Sequence, residues 1–386
     1  MKPSTKKFLL RARFYMVIIG AIYVASVGLL AIPFFQRHAV YLNAVKFPLF
    51  ADFDSPERYS LSPNKTINLK ITTSDNETLG AWFVMSDRYY YSLSSAPVEP
   101  QKHIPAALEH RPTVLFFHGN AATRAYEVRV RYYKAFASRL GLNVLAIDYR
   151  GFADSTGAPS EAGLMRDGRA AFDWLLSNGA KAQDILIVGH SLGTGVSSQL
   201  VASLDGDGIA CRGVTLLSPF SSIQELLNTY HLFGFFPLIK PISMIPWAMN
   251  IVSSALVHRF DTLKAVPNIK SPVLIAHAED DWDIPHTHSD VLFEAFLEPL
   301  LPTVVIPEHL LSSTTEQWSN LVQKQNERSQ RRKEIVETHI VPKFGTVSRV
   351  RFGRSVTLVK TLVGGHDYVG EQEGLQDAIA RSFGLL

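Results

Sequence analysis

The chain opens on an uninterrupted apolar stretch and then changes rhythm. From Phe14 to Phe35, FYMVIIGAIYVASVGLLAIPFF, it carries 22 residues without a formal charge. At about 1.5 Å per residue this makes ~33 Å of helix, enough to cross a hydrocarbon core of about 30 Å. Aromatic residues stand at both ends, where interfacial anchors belong, and Pro33 marks an expected helix stop. A cleaved signal peptide has a shorter apolar core, of roughly 7–15 residues. A buried core helix would show a polar face or charges, and an interfacial helix a charged face. The expectation is a transmembrane anchor over 14–35.

Beyond it, short apolar runs alternate with longer helical patterns. Ile67–Thr73 and Leu79–Met85, split by Ser74-Asp75-Asn76-Glu77, predict a hairpin. Residues 86–112 are polar, contain proline and lack a period, so they read as a loop. Further strand-like runs are Thr113–Phe117, Asn143–Ile147, Ile185–Val188, Val214–Leu217, Pro272–Ala276 and Val356–Lys360. Helices are predicted near 124–140, 160–177, 191–204, 286–298 and 371–383. Short buried strands alternating with helices make an α/β protein, with a mostly parallel sheet and helices on both faces.

Two segments break this rhythm. Residues 221–262 are hydrophobic but cut by Pro237, Pro241 and Pro246. Those prolines and Lys240 count against a second membrane span. An apolar lid is the expectation, with an extra packed helical layer as the alternative. Residues 309–355 are polar and basic, with Arg328, Arg331, Arg332 and Lys333 among few acids, and read as a solvated surface insert. Binding of anionic headgroups is the alternative there. The expected organisation is a basic tail over 1–13, the anchor, a linker over 36–65 and one α/β domain over 66–386.

Composition and charge then narrow the classes. With 46% hydrophobic and only 19% charged residues in 386, the chain is not disordered. One cysteine, Cys211, makes no internal disulfide and fits no cysteine-based zinc site. The net charge of +3 is a terminal feature: Lys2, Lys6, Lys7, Arg11 and Arg13 precede the apolar stretch without an acid, and the rest is slightly acidic. That excludes the basic stripe of a nucleic-acid binder. The same five charges place the N-terminus in the cytosol and everything after Gln36 on the far side of the membrane. Asn64-Lys65-Thr66 and Asn76-Glu77-Thr78 agree, as glycosylation sequons usable only in a secretory lumen.

The candidate chemistry sits where strands end. Gly189-His190-Ser191-Leu192-Gly193 follows one strand and opens a helix. This is the context in which a sharp turn, with glycines where side chains would clash, presents a nucleophilic Ser191. A serine hydroxyl needs a base and an orienting acid, in the chain order serine, acid, histidine. Glu279-Asp280-Asp281-Trp282-Asp283 follows the strand ending at Ala276 and supplies four carboxylates. Gly364-Gly365-His366 follows the last strand and supplies the base. The loop Phe116-Phe117-His118-Gly119-Asn120 is placed to offer the N–H of Asn120, which with that of Leu192 forms the expected oxyanion hole. His118 shapes this loop rather than reacting. The chemistry calls for no metal or cofactor.

HGNAATR at 118–124, DYRGFADSTGAPSEAG at 148–163, GHSLGTGV at 189–196, LLSPFSSI at 216–223 and HAEDDWDIP at 277–285 together resemble the membrane-anchored α/β-hydrolase-domain lipases. The resemblance covers about 113–285 and the histidine loop. It implies an α/β-hydrolase fold, a lipid substrate (a lysophosphatidylserine or a monoacylglycerol) and a single-pass protein of the endoplasmic reticulum with a lumenal catalytic domain. It also implies Asp281 as the acid, four residues before Pro285, with Asp283 and Asp280 as substitutes. The region 300–355 departs from the family in length and charge. The same triad could serve a thioesterase, peptidase or acyltransferase, and a non-catalytic lipid-binding scaffold is the rival of a different class. Epoxide hydrolase and dehalogenase chemistry is disfavoured, because the elbow holds Ser191 rather than an acid.

Overall fold

Continuous apolar strands have no solvent face, so each must be covered on both sides. The computed structural model describes residues 3–229, 231–232, 236–237, 253–304 and 315–385. Ten strands form one sheet: β1 (Thr66–Thr72), β2 (Thr78–Val84), β3 (Thr113–Phe117), β4 (Asn143–Ile147), β5 (Ile185–His190), β6 (Gly213–Leu217), β7 (Val273–Ala278), β8 (Val336–Val341), β9 (Gly345–Val350) and β10 (Val356–Thr361). Their spatial order is β1-β2-β4-β3-β5-β6-β7-β10-β9-β8. The six strands from β4 to β10 in that order are parallel, and the hairpins at the two edges are antiparallel.

Alternate residues of each central strand supply two cores. Leu115, Phe117, Ile185 and Ile187 pack on one face, with Leu164 and Phe172 of the helix Glu161–Ser177 and Val196 and Leu200 of the helix Leu192–Gly206. Val114, Phe116, Leu186 and Val188 pack on the other, with Tyr132 and Phe136 of the helix Glu127–Ser138 and Ile379 of the helix Glu373–Ser382. This is the α/β-hydrolase fold, and its parallel strands bring the carboxyl ends of β3, β5, β7 and β10 to one edge.

Three regions differ from the sequence expectations. The first helix runs from Pro3 to Leu30 rather than ending at Phe35. The stretch of it long and apolar enough to cross a membrane is Lys7–Leu30, 24 residues, whose most apolar window has mean hydropathy 1.8. Pro33 ends it, lacking an N–H and clashing with the preceding turn, and begins a second helix, Pro33–Tyr41. Residues 36–65 are therefore no free linker. Gln36 donates to the Ala255 carbonyl at 3.1 Å and accepts from Val257 N–H at 2.7 Å, and Tyr41 is fully buried against His258 and Phe260.

Residues 86–112 are not a plain loop. They hold helical turns at Asp87–Tyr90, Pro100–His103 and Ile104–His110, the last burying Ile104, Ala107 and Leu108. The basic insert also has structure: a helix over Thr315–Ile335, then β8 and β9, which extend the sheet. Arg328 and Arg332 pair with Glu298 and Glu294, so much of its charge fastens the helix to its neighbours. Of the lid expected over 221–262, residues 230, 233–235 and 238–252 lie outside the described residues. Of it, Ile223–Thr229 is helical and His231–Leu232 pairs with Phe236–Pro237.

Candidate active site

The turn from β5 into its helix is strained in the way a presented serine requires. Ser191 has φ 52° and ψ −119°, a conformation that costs a non-glycine residue about 1–3 kcal/mol. Its neighbours must be glycine: a Cβ on Gly189 would lie 2.3 Å from the Gly193 carbonyl, and one on Gly193 2.1 Å from the Phe117 carbonyl. Burial between strands and helix holds the strain in place.

The structure brings three of the expected residues into one chain of hydrogen bonds. Ser191 Oγ lies 2.9 Å from His366 Nε2, and His366 Nδ1 lies 2.8 Å from Asp281 Oδ2. Of the alternatives on the acid loop, one carboxylate is engaged elsewhere, while that of Asp283 lies within 4.8 Å of His366 and Asp281. Asp280 accepts from Gly365 N–H at 2.7 Å and so steadies the histidine loop, while Asp283 donates its backbone N–H to Asp281 Oδ1 at 2.9 Å.

Electrostatics follow from this packing. Burial opposes charge on His366, but the hydrogen bond and charge of Asp281, with Asp367 and Asp283, outweigh it and raise its pKa above the ordinary value. Burial likewise opposes charge on Asp281, yet its bonds to His277 and His366 hold it well below the usual carboxylate range. His190, buried and facing His366, is pushed down to about 4 and is neutral at pH 7. Its Nε2 donates to the His366 carbonyl at 2.9 Å, where Ser218 Oγ also donates at 3.1 Å.

Three supporting residues escaped the sequence reading. His277, at the end of β7, has Nε2 3.0 Å from Asp281 Oδ2 and 2.9 Å from the Ile284 carbonyl. Both are acceptors, so Nε2 carries the proton, and Ser289 Oγ donates to Nδ1 at 2.7 Å. Arg129, buried and without a carboxylate at hydrogen-bond distance among the described residues, points Nη2 at the carbonyls of Gly119, Asn120 and Ala121, at 3.3, 3.1 and 2.7 Å. Ser218 is the third. His277 and Ser218 stood in the quoted segments HAEDDWDIP and LLSPFSSI, though without a role, and Arg129 in none; no spacing rule links Arg129 or Ser218 to the serine.

The loop of Asn120 is held from its other side by the segment after the anchor. The N–H groups of Ala121, Ala122 and Thr123 donate to the carbonyls of Tyr41, Val45 and Phe47, at 2.9, 2.7 and 3.0 Å. Among the described residues, the N–H groups of Asn120 and Leu192 have no acceptor. His118 is buried, as expected of a loop-shaping residue, and its carbonyl accepts from Tyr149 at 2.8 Å. A cavity of about 410 Å³ opens over Ser191, walled by Val45, Phe47, Asn120, Tyr126 and His366. Asn64 and Asn76 lie exposed on turns flanking β1.

A strand–serine–helix elbow with a histidine and an acid on later loops of a parallel sheet defines the α/β hydrolases, in their serine-dependent form. The family model described as alpha/beta hydrolase fold matches residues 112–237. A solved α/β hydrolase from Vibrio vulnificus superposes with a TM-score of 0.55 at 16% identity, over 90% of this chain and 92% of that one, which bears on the fold alone. The lysophosphatidylserine lipase ABHD12 of Xenopus tropicalis is 33% identical over 71% of this chain and 69% of its own length. The Rattus norvegicus protein of that name is 32% identical over 72% and 68%, and the protein ABHD12B of Homo sapiens 29% over 66% and 68%. The chain belongs to the ABHD12-like family of α/β hydrolases.

Proposed function

We propose that this chain is a membrane-anchored serine hydrolase that cleaves the acyl ester of a lysophospholipid of the lysophosphatidylserine kind, or of a monoacylglycerol. The observation that carries the reading is the hydrogen-bonded series Ser191–His366–Asp281 at the floor of a cavity partly walled by apolar side chains. The similarity to lysophosphatidylserine lipases supports the substrate class.

His366 takes the hydroxyl proton as Ser191 Oγ attacks the ester carbonyl, and Asp281 holds the imidazole in the right tautomer and steadies its positive form. The N–H groups of Asn120 and Leu192 bind the oxyanion, each contributing about 3–4 kcal/mol to the transition state. His366 then gives its proton to the departing glycerol oxygen, leaving an acyl-enzyme. Water, deprotonated by the same histidine, attacks that ester; the fatty acid leaves and Ser191 regains its proton.

The anchor is the charge-free part of the first helix, from Phe14 on, with Lys7, Arg11 and Arg13 on its N-terminal turns; the most apolar window of that helix is 6% buried. With its basic residues in the cytosol, the hydrolase domain is lumenal, and the resemblance to membrane-anchored α/β-hydrolase-domain lipases favours the endoplasmic reticulum.

The test is fatty-acid release from 1-acyl lysophosphatidylserine and from 1-acylglycerol, side by side in detergent micelles, with Ser191→Ala as the blank. Loss of release in a folded Ser191→Ala protein is expected; retained turnover overturns the assignment. Preference between the two lipids decides the headgroup. Cleavage of neither, with Ser191 still labelled by a fluorophosphonate, keeps the hydrolase and removes the lipid.

A further inference from the structure

The carboxyl edge of the sheet is ringed by exposed apolar side chains that the catalytic reading leaves unused. Leu49 and Phe50 are 64% and 101% exposed on the segment whose carbonyls hold the Asn120 loop. Across the cavity, Trp282 is 77% exposed beside Asp281, and Val363 and Tyr368 are 61% and 49% exposed on either side of His366. These loops follow β7 and β10, and the Asn120 loop follows β3, so all of them meet at one edge. A soluble surface has no reason to gather large apolar groups around one opening, and such a patch marks a contact site.

Continuity with the apolar helix says what covers it. Only residues 31–48 separate the end of that helix from Leu49 of the rim, and half of them form the helix Pro33–Tyr41, about 14 Å long. Gln36 bonds both the Leu30 carbonyl at the end of the span and Ala255 and Val257 of the domain, and Tyr41 is buried in it, which ties the rim to the span's end. Exposed apolar residues continue through the junction at Ile32, Phe34, Phe35 and Leu42.

We propose that Leu49, Phe50, Trp282, Val363 and Tyr368 form a membrane-contacting rim that seats the mouth of the Ser191 cavity on the bilayer holding the anchor. A lipid then enters from the bilayer without crossing water, its acyl chain passing beside Val45 and Phe47 while the ester meets Ser191. This rests on the lipid-hydrolase reading and adds the surface through which the substrate arrives.

Cys211 is buried and is the single cysteine, so a new surface cysteine takes a thiol-reactive nitrobenzoxadiazole dye selectively. The full chain is placed in phosphatidylcholine vesicles as Phe50→Cys, Trp282→Cys or, on the opposite sheet edge before β3, Glu109→Cys. Blue-shifted emission quenched by nitroxide-bearing lipid is expected at 50 and 282, with water-like emission at 109. Water-like emission at 50 and 282 overturns the rim. As a second readout, the double variant Leu49→Asp, Phe50→Asp, whose residues do not line the cavity, is expected to lose about tenfold in turnover of bilayer lipid while hydrolysis of a water-soluble butyrate ester stays within about twofold. Equal loss on both esters, or no loss on lipid, counts against it. The dye readout needs no turnover, so a rim seated on lipid in a protein that cleaves no lipid would refute the chemistry and keep the contact.

Discussion

His277 and His366 hydrogen-bond the same carboxylate oxygen of Asp281, at 3.0 and 2.8 Å. Asp281 Oδ1 is taken by the N–H groups of Asp283 and Ile284, at 2.9 and 2.8 Å, so the acid has no freedom to turn. Burial keeps His277 neutral, and its proton on Nε2 makes it a donor that orients the acid without competing for charge. Replacing His277 with Phe should lower kcat by about 10–100-fold, the usual cost of removing a group that orients a site's ligand or acid. KM should change little, and Asn at 277 should restore part of the rate. A loss appearing wholly in KM would remove His277 from this role.

The pH dependence follows from the raised pKa of His366. Attack needs the neutral imidazole, so kcat/KM falls as pH falls through that pKa. The acid limb should therefore lie above about 6.5, the ordinary histidine value. Asp281→Asn removes the leading groups that raise it, moving the limb to lower pH while kcat drops about 10⁴-fold. A pH–rate profile of both proteins checks the direction; a limb that stays in place in the variant speaks against the pairing.

Arg129 sets the direction of the Asn120 N–H. In a planar trans peptide the C=O and N–H point opposite ways, so holding the Gly119 carbonyl aims the next N–H away from the guanidinium. Arg129→Met should cost roughly 10²-fold in kcat with KM nearly unchanged, as for a lost oxyanion donor. Lys at 129, an ammonium with three donors, should recover part of it. Unchanged kcat in a folded Arg129→Met protein would separate this arginine from the oxyanion loop.

Arg124 is a matter of stability rather than rate. Its guanidinium is wholly buried, 2.6 Å from both Asp148 and Asp154 and stacked 3.8 Å over Phe53. Arg124→Met leaves Asp148 charged and buried, at a cost of about 3–5 kcal/mol. Urea unfolding should show the lower midpoint, and removing Asp148 as well should cost less than the sum of the two single changes.

Orientation is checked by the exposed sequons. With the hydrolase domain in the lumen, Asn64→Gln and Asn76→Gln should each abolish one glycosidase-sensitive gel shift, and the double variant both. A chain without any shift in a cell that glycosylates would withdraw the sequons' support for a lumenal domain.

The central strands, the elbow at Ser191 and the histidine loop at His366 were legible along the chain. Each depends on local chemistry: an apolar run too short for a helix, glycines that admit a forbidden turn, a histidine directly after a strand. The edge strands β8 and β9 were not. Their side chains are largely exposed or half-buried, and what holds them is a backbone ladder to β10 that leaves no apolar period.

The same distinction runs through the site. Sequence alone bounded the acid to the 279–283 loop and resemblance favoured Asp281, but the fold brings Asp281 to His366 and turns Asp280 toward Gly365. Arg129, Ser218 and the docked segment after Pro33 act on residues far from them in the chain, through carbonyls that any residue possesses. A side chain that serves by binding backbone leaves no pattern of partner types to read. Local turns, runs and caps belonged to the sequence; which distant groups meet belonged to the tertiary structure, because only packing of the sheet's two faces brings those loops to one edge.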